Sequence, residues 1–305
     1  MQIYDDIPSS PLPGGGRSVG IGVFDGVHVG HRELIRRVVD AAQQRELTPL
    51  LFTFDRHPAE LLKPDAVPPY LTTLEEKLAL LEEAGAQEVV VAKVTPALLA
   101  TPAAEFVRNV LIAKLYAAFV SAGWSFRFGH ARRGTPQLLR QMGAQMGFDV
   151  AVVQPVAVGR EVASSTRIRE LIAEGDVALA ARLLGRPYGI SGPVVKGRGV
   201  GRQLGVPTAN VQYPPKRVLP ARGVYLTTVT TDGAVYRAVT NVGVRPTFGS
   251  THAVTVEAHL LGFEGDLYDR TVRVEFLDRI REERRFGSVE ELKHQLTLDI
   301  ARARG

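Results

Sequence analysis

The chain has 305 residues, 45% of them hydrophobic, which is material for two domains with separate cores. It has no cysteine, which excludes a disulfide framework, thiolate metal sites and cysteine nucleophilic catalysis, and suits a reducing cytoplasm. The net charge of +5 is uneven: residues 1–184 carry 19 Lys and Arg against 20 Asp and Glu, and residues 185–305 carry 18 against 12. A basic second half suits anionic small molecules. Its basic residues are scattered and not interleaved with aromatic ones, so no nucleic-acid partner is expected.

Met1–Arg17 is acidic and rich in Pro and Gly, has no apolar signal-peptide region, and predicts a mobile lead at Pro11–Gly16. No apolar run approaches the roughly 18 residues of a membrane span, so no membrane partner is expected. Short apolar runs predict strands at Val19–Phe24, Pro49–Phe54, Glu88–Val94, Ala117–Ala122 and Asp149–Gln154. Between them, Leu34, Ile35, Val38 and Val39 have helical spacing, and Thr73–Glu76 reads as a capping box before a helix that Gly85 ends. Thr101-Pro102 reads as a helix start ahead of the stripe Phe106, Val107, Val110 and Leu111, and Thr135-Pro136 as another. Continuous apolar strands alternating with helices predict an α/β domain, a parallel sheet covered on both faces, with ligands at the carboxyl ends of its strands.

Residues 164–184 read as two short helices, and Gly185-Arg186-Pro187 breaks the pattern. Strand-like runs follow at Tyr188–Val195, Val224–Thr231, Val235–Val242, Ala253–Leu261 and Val272–Leu277, with Asp232-Gly233 as a hairpin turn. They predict a small antiparallel β-barrel closed by a helix after Ser288-Val289-Glu290-Glu291. The expected domains are therefore 1–184 and 185–305.

Two stretches carry the equipment of phosphate chemistry. Gly22–His31 follows the first strand and leads into the first helix. Gly26 and Gly30 let backbone approach phosphate, and His28 and His31 can donate to oxygens that gain charge during attack. Two histidines at i, i+3 also suit helix capping or a metal, but no second histidine cluster has ligand spacing. The second stretch is Gly205–Asn210, answered by Val256-Glu257-Ala258-His259. Thr208 and Asn210 supply hard oxygen donors of the kind Mg²⁺ takes, and Glu257 is a candidate base. A solvent-facing carboxylate and an ordinary β-turn fit the same residues. Gly197, Gly199 and Gly201 form a loop able to lie against phosphates, although it lacks the Gly-Lys-Ser/Thr ending of a Walker loop.

Further motifs stand in order with these: Thr53–Pro58, Phe126–Gly129, Ser164–Arg169, Gly223–Tyr225 and Asn241–Thr247. The ordered set resembles the bacterial bifunctional riboflavin kinase/FAD synthetases, from about Val19 to the last helix. The resemblance implies a Rossmann-like nucleotidyltransferase domain that adenylylates FMN to FAD with release of pyrophosphate. It also implies a barrel domain that phosphorylates riboflavin to FMN with ATP and Mg²⁺, FMN and FAD being product and substrate rather than prosthetic groups. It implies catalytic roles for His28, His31 and Glu257. ATP contacts are implied at Gly22, Phe24, Asp25, Gly26, Gly30, Ser164, Thr166, Arg167, Arg169, Gly197, Gly199, Gly201, Thr208 and Asn210. Flavin contacts are implied at His57, Pro58, Phe126, Phe128, Arg284 and Phe286, and metal contacts at Thr208 and Asn210. The chain departs from the family at Ser125, where Asp or Asn is usual, and at Ala163 and Lys196. Two other readings fit part of the pattern: a kinase with a degenerate first domain, and a non-enzymatic flavin- or RNA-binding regulator.

Overall fold

The computed structural model describes residues 1–197, 199–245 and 253–304. Its contacts divide the chain into two compact units, Met1–Ser165 and Thr166–Gly305. The first unit runs β1 (Gln2–Tyr4), β2 (Arg17–Ile21), α1 (Val29–Arg45), β3 (Thr48–Phe54), α2 (Ala59–Leu62), α3 (Leu74–Glu83), β4 (Glu88–Ala92), α4 (Pro96–Ala100) and α5 (Ala103–Glu105). Helix α5 continues as a π-helical stretch, Phe106–Ile112, and β5 (Ala117–Gly123), α6 (Pro136–Met146), β6 (Asp149–Val153) and the small hairpin β7 (Ala157–Val158) and β8 (Glu161–Val162) follow. Helix α7 (Ser165–Glu174) begins at the unit's last residue.

The six strands β1–β6 form one parallel sheet in the order β1-β4-β3-β2-β5-β6. Val19, Ile21, Phe52 and Val120 pack on one face against Phe106, Leu111 and Leu139. Leu51 and Val89 pack on the other against Leu34, Ile35, Val38 and Leu81. Both faces are therefore dry, as continuous apolar strands require.

Two local expectations differ from the structure. A helix does start at Thr101-Pro102, but Pro102 rather than Thr101 is the N-cap of α5 and no side-chain cap bond forms, because Thr101 is the C-cap of α4. The capped Thr-Pro start is that of α4, where the Thr95 hydroxyl accepts from Leu98 N and Pro96 opens the helix. The stripe Phe106, Val107, Val110 and Leu111 is buried as its spacing predicts. The Pro11–Gly16 lead is tied down: Leu12 is buried and its amide bonds to the Lys114 carbonyl, and Arg17, 2% exposed, donates to Pro13 O, Gly15 O and both Glu88 oxygens.

The second unit opens with α7 and α8 (Val177–Leu184), followed by β9 (Tyr188–Val195), α9 (Val200–Gln203), β10 (Ala209–Val211), β11 (Gly223–Thr231), β12 (Ala234–Arg245), β13 (Ala253–Leu260), β14 (Thr271–Glu282) and α10 (Val289–Arg304). Its six strands close into an antiparallel barrel, β10-β13-β12-β11-β14-β9. Asp232 (φ 48°) and Gly233 (φ 77°) make the tight β11–β12 turn with both residues left-handed, the geometry that suits a two-residue hairpin. Helix α10 lies on the barrel through Ala303 and Ile300 against Val224 and Val239.

Helices α7 and α8 cluster with the barrel. Ala221 N donates to Ile172 O at 3.1 Å, and Gly175 sits where a Cβ would come 3.0 Å from the Tyr225 hydroxyl. Among the described residues no helix is long and apolar enough to cross a membrane.

Candidate functional sites

The first site lies at the carboxyl ends of β2 and β3. Past Ile21 the chain turns sharply: Phe24 (φ 54°) and Val27 (φ 38°) both take left-handed backbone, with Gly26 between them, and Val27 N closes the turn onto Phe24 O at 3.2 Å. Non-glycine residues in that region cost on the order of 1–3 kcal/mol each and are held by their surroundings. Here the surroundings are explicit. The Asp25 carboxylate accepts from Leu71 N and Thr72 N at 3.0 and 3.1 Å, Gly26 N donates to the Thr72 hydroxyl, and the Ser165 hydroxyl donates to Asp25 O. Phe24 is fully buried with its ring edge-on to His31, and Gly22 lies against that ring.

His28 is the N-cap of α1. Its Nδ1 accepts from Gly30 N and His31 N at 3.2 and 3.4 Å, so in the neutral ring the proton stands on Nε2. A Cβ on residue 30 would lie 3.1 Å from the His28 ring, so glycine there leaves the ring its place. The His31 ring stacks on His28 at 3.7 Å and its Nδ1 is buried without a hydrogen bond. Burial, His28 and Lys77 hold the His31 pKa well below the usual histidine value, so its imidazole is neutral at pH 7. A buried nitrogen without a partner beside a helix N-terminus is a place that an oxygen-rich ligand suits when the nitrogen carries the proton.

The neighbouring loop is built alike. His57 Nδ1 accepts from Ala59 N, His57 N donates to the Tyr70 hydroxyl, and that hydroxyl donates to Glu60. Burial and Glu60 push the Tyr70 pKa up to about 12. Pro58 caps α2 beside His57. Phe126 is half-buried on the turn after β5 and stacks on Phe128 at 5.4 Å; Phe128 is packed into the core against Phe106. Ser125 is exposed on that same turn. Ser164 precedes α7, while Thr166, Arg167 and Arg169 lie on that helix in the second unit, with Arg167 3.4 Å from Glu170.

The second site is set by strand register. Asn210 on β10 and Asn241 on β12 both stand opposite Glu257 on β13. The same two registers place His259 opposite Val239 and, one step before β10, beside Thr208. Two cavities meet at Thr208. One, of about 550 Å³, is lined by Gly197, Gly199, Arg202, Thr208 and Asn210. The other, of about 300 Å³, is lined by Gly201, Thr208, Asn241, Glu257, His259 and Phe286, with apolar walls from Val224, Val239, Leu292 and Leu296. The Gly197 backbone lies so close to Asn210 that a Cβ would come 2.3 Å from its Nδ2. Arg198, and Pro246 and Thr247 of the β12 motif, lie outside the described residues.

Two contacts frame the smaller cavity. His259 Nδ1 donates to Pro207 O at 2.8 Å, fastening β13 to the turn before Thr208. Arg281 grips Asp299 of α10 through Nε and Nη2 at 3.1 and 2.8 Å, and Asp299, 1% exposed, also accepts from Gln295 Nε2. The Arg284 guanidinium lies 4.8 Å over the Phe286 ring. Thr208, shared by both cavities, and Asn210, in the larger one, are hard oxygen donors, a set that fits Mg²⁺, which binds few protein groups and keeps its waters. Among the described residues no cluster of three or more His, Asp or Glu forms an alternative metal centre.

Sequence reasoning missed Lys77 and Arg281, and gave no role to Thr53 and Asn241, although both open motifs that it singled out. One signal was readable: Lys77 and Leu81, four apart, are the buried pair of α3, so a charge stands on an apolar stripe.

The comparisons with known proteins match both units. A family profile described as FAD synthetase covers residues 14–167, and one described as riboflavin kinase covers 184–305. A protein of Pseudomonas fluorescens, described as a bifunctional riboflavin kinase/FMN adenylyltransferase, is 40% identical over 93% of this chain and 91% of its own length. Its namesake from Escherichia coli (strain K12) is 38% identical over 97% and 94%. A solved structure from Streptococcus pneumoniae, described as a macrolide-efflux protein, superposes with a TM-score of 0.90 at 32% identity, covering 99% of this chain and 98% of that one.

Proposed function

The chain belongs to the bifunctional riboflavin kinase/FMN adenylyltransferase family, and we propose how its two units divide that chemistry. It phosphorylates riboflavin to FMN and adenylylates FMN to FAD. The kinase step belongs to the barrel. Glu257 takes the proton of the terminal ribityl hydroxyl, whose oxygen attacks the γ-phosphorus of ATP, and ADP leaves. The observation that carries this assignment is the meeting of the two cavities at Thr208. The glycine-lined one suits a triphosphate, and the apolar one, walled by Phe286 and α10, suits a flavin with Glu257 beside its ribityl chain. Arg284 holds Phe286 in place on the flavin side. Thr208 and Asn210 would hold Mg²⁺, which would neutralise phosphate charge.

The adenylylation step belongs to the first unit. A phosphate oxygen of FMN attacks the α-phosphorus of ATP, and pyrophosphate leaves. The His28 Nε2–H donates to the oxygens that gain charge, and His31, neutral and stacked on it, joins the same cradle. Gly22, Gly26 and Gly30 admit the triphosphate to the start of α1. Asp25 and Phe24 serve ATP binding by holding this loop, and His57, Pro58 and Phe126 face the flavin, with Phe128 behind Phe126. Phosphate roles for Ser164, Thr166, Arg167 and Arg169 are carried over on resemblance. The substrates are small molecules met in the cytoplasm, and no nucleic acid is required.

The test is direct. The chain is incubated with riboflavin, ATP and Mg²⁺, and the flavins are separated by chromatography. FAD is expected. FMN alone would reduce the assignment to the kinase half; unchanged riboflavin would overturn the kinase assignment, and failure to adenylylate supplied FMN as well would overturn both.

A further inference from the structure

The first site contains a buried ammonium that no step above uses. Lys77, on α3, is 7% exposed. Its Nζ donates to Phe54 O at 2.8 Å, to the Thr53 hydroxyl at 3.1 Å and to Val23 O at 3.4 Å. The Thr53 hydroxyl in turn donates to Val23 O at 3.1 Å. All three acceptors of the cation are uncharged oxygens, two of them carbonyls, so its desolvation is offset by hydrogen bonds rather than by a contact ion pair. An apolar side chain would fill this place on α3, beside Leu81, at lower cost.

The acceptors explain its presence. Val23 lies in the loop that delivers His28 and His31, and Phe54 is the last residue of β3, three before His57. The β2–β3 ladder ends at Ile21 and Phe52, so beyond that point the two loops no longer share strand pairing. Lys77 and Thr53 bond them together there.

We propose that Lys77 is a positioning residue for adenylylation: its ammonium ties the loops beyond β2 and β3 and sets the spacing between the His28–His31 pair and the His57 loop. The inference rests on the reading of the first unit as the adenylylation site. A spacing residue acts on the approach of two bound substrates more than on the binding of either, so its loss falls on kcat rather than on KM. The charge state is part of the device. Burial lowers the Lys77 pKa to about 8, against the pull of Asp25 and Asp55, and the third ionisable group facing it is His31 on α1. Below that value three N–H donors meet three acceptors. As pH rises through it one donor is lost and the tether loosens, so adenylylation falls on the alkaline side while riboflavin phosphorylation has no such limb.

The test compares the unmodified full-length chain with Lys77→Met, following adenylylation of supplied FMN and phosphorylation of riboflavin from pH 6.5 to 9.5. Lys77→Met is expected to lower the adenylylation kcat on the order of 10²-fold, leave KM far less changed, abolish the alkaline limb and spare phosphorylation. Adenylylation at the unmodified rate with the limb intact would overturn the proposal. Loss of both activities together would also overturn it, by showing a general brace of the fold. Should Lys77→Met fail to fold, Thr53→Val decides: it removes the shared hydroxyl and keeps the charge. A smaller loss of adenylylation kcat alone supports the tether, and no change overturns it. Absence of FAD formation in the unmodified chain would be a different failure, that of the reading of the first unit.

Discussion

The two sites handle the same kind of ligand with opposite construction. The first hangs on loops beyond the end of a strand ladder, and its side chains are aimed by buried polar bonds: Asp25 to the Leu71 and Thr72 amides, His28 to the start of α1, and Lys77 to Val23 and Phe54. The second lies on the strands themselves, where the ladder register brings Asn210, Glu257 and Asn241 into one row. A loop site needs internal tethers to reach the tolerance that catalysis demands; a ladder site has that precision from its backbone, and spends its side chains on the cavities and on α10. Substitutions at the first site therefore propagate through a network, whereas those at the second stay local.

The largest expected effect tests the local case. Glu257→Gln keeps size and hydrogen bonding but removes the base, and lowers riboflavin phosphorylation about 10²–10⁴-fold while supplied FMN is still adenylylated. A matching loss of adenylylation in well-folded protein would show that the sites are coupled. Next comes the networked case. Replacing both His28 and His31 with Ala lowers FAD formation on the order of 10²–10³-fold and lets FMN accumulate. Because the His28 ring also caps α1, thermal melting is expected to fall slightly as well, as removal of an N-cap by Ala costs about 1 kcal/mol.

The legibility of the chain follows the same division. Period and composition were enough for the parallel strands and for most of the barrel, since both announce themselves within a few residues. Strands β1 and β10 were missed, being three residues each, the first an exposed edge and the second just after Pro207. Thr95-Pro96 and Thr101-Pro102 carry the same local signal, and only the packing of α4 and α5 separates them. The pinned Pro11–Gly16 lead depends on Arg17 reaching Glu88, 71 residues away, which no local pattern reports. Likewise His28 and His31 were readable as a motif, but the row Asn210–Glu257–Asn241 is a product of long-range register, and the Lys77 tether of three-dimensional burial.

A third prediction concerns where the second unit begins. The proposed start at Gly185 keeps all six barrel strands and α10, so that fragment is expected to fold and to make FMN. It lacks α8, whose Val177, Ala180, Leu183 and Leu184 are buried, and the Ala221–Ile172 bond. By circular dichroism it is expected to melt at least about 5 °C below a fragment starting at Thr166. Equal melting temperatures would show that α7 and α8 are ornaments on the barrel; an unfolded Gly185 fragment would place the boundary at Thr166.

The smallest effect is expected at Ser125, exposed on the turn after β5, where neither network nor ladder depends on it. Ser125→Asp adds acceptors and a charge at the adenylylation site. It is expected to lower the apparent KM for one adenylylation substrate a few-fold, with phosphorylation unchanged. No change in either step would mean that the serine serves as well as the family's usual carboxylate.

The division of labour between the units has one decisive measurement. The Glu257→Gln chain and the chain with both His28→Ala and His31→Ala are each given riboflavin, ATP and Mg²⁺, singly and then mixed, and the flavins are followed over time. Riboflavin is expected to be left almost unchanged by the first, with FMN without FAD from the second, and FMN followed by FAD from the mixture. FAD from either variant alone at the unmodified rate would contradict the division, as would a mixture that stops at FMN while the Glu257→Gln chain still adenylylates supplied FMN.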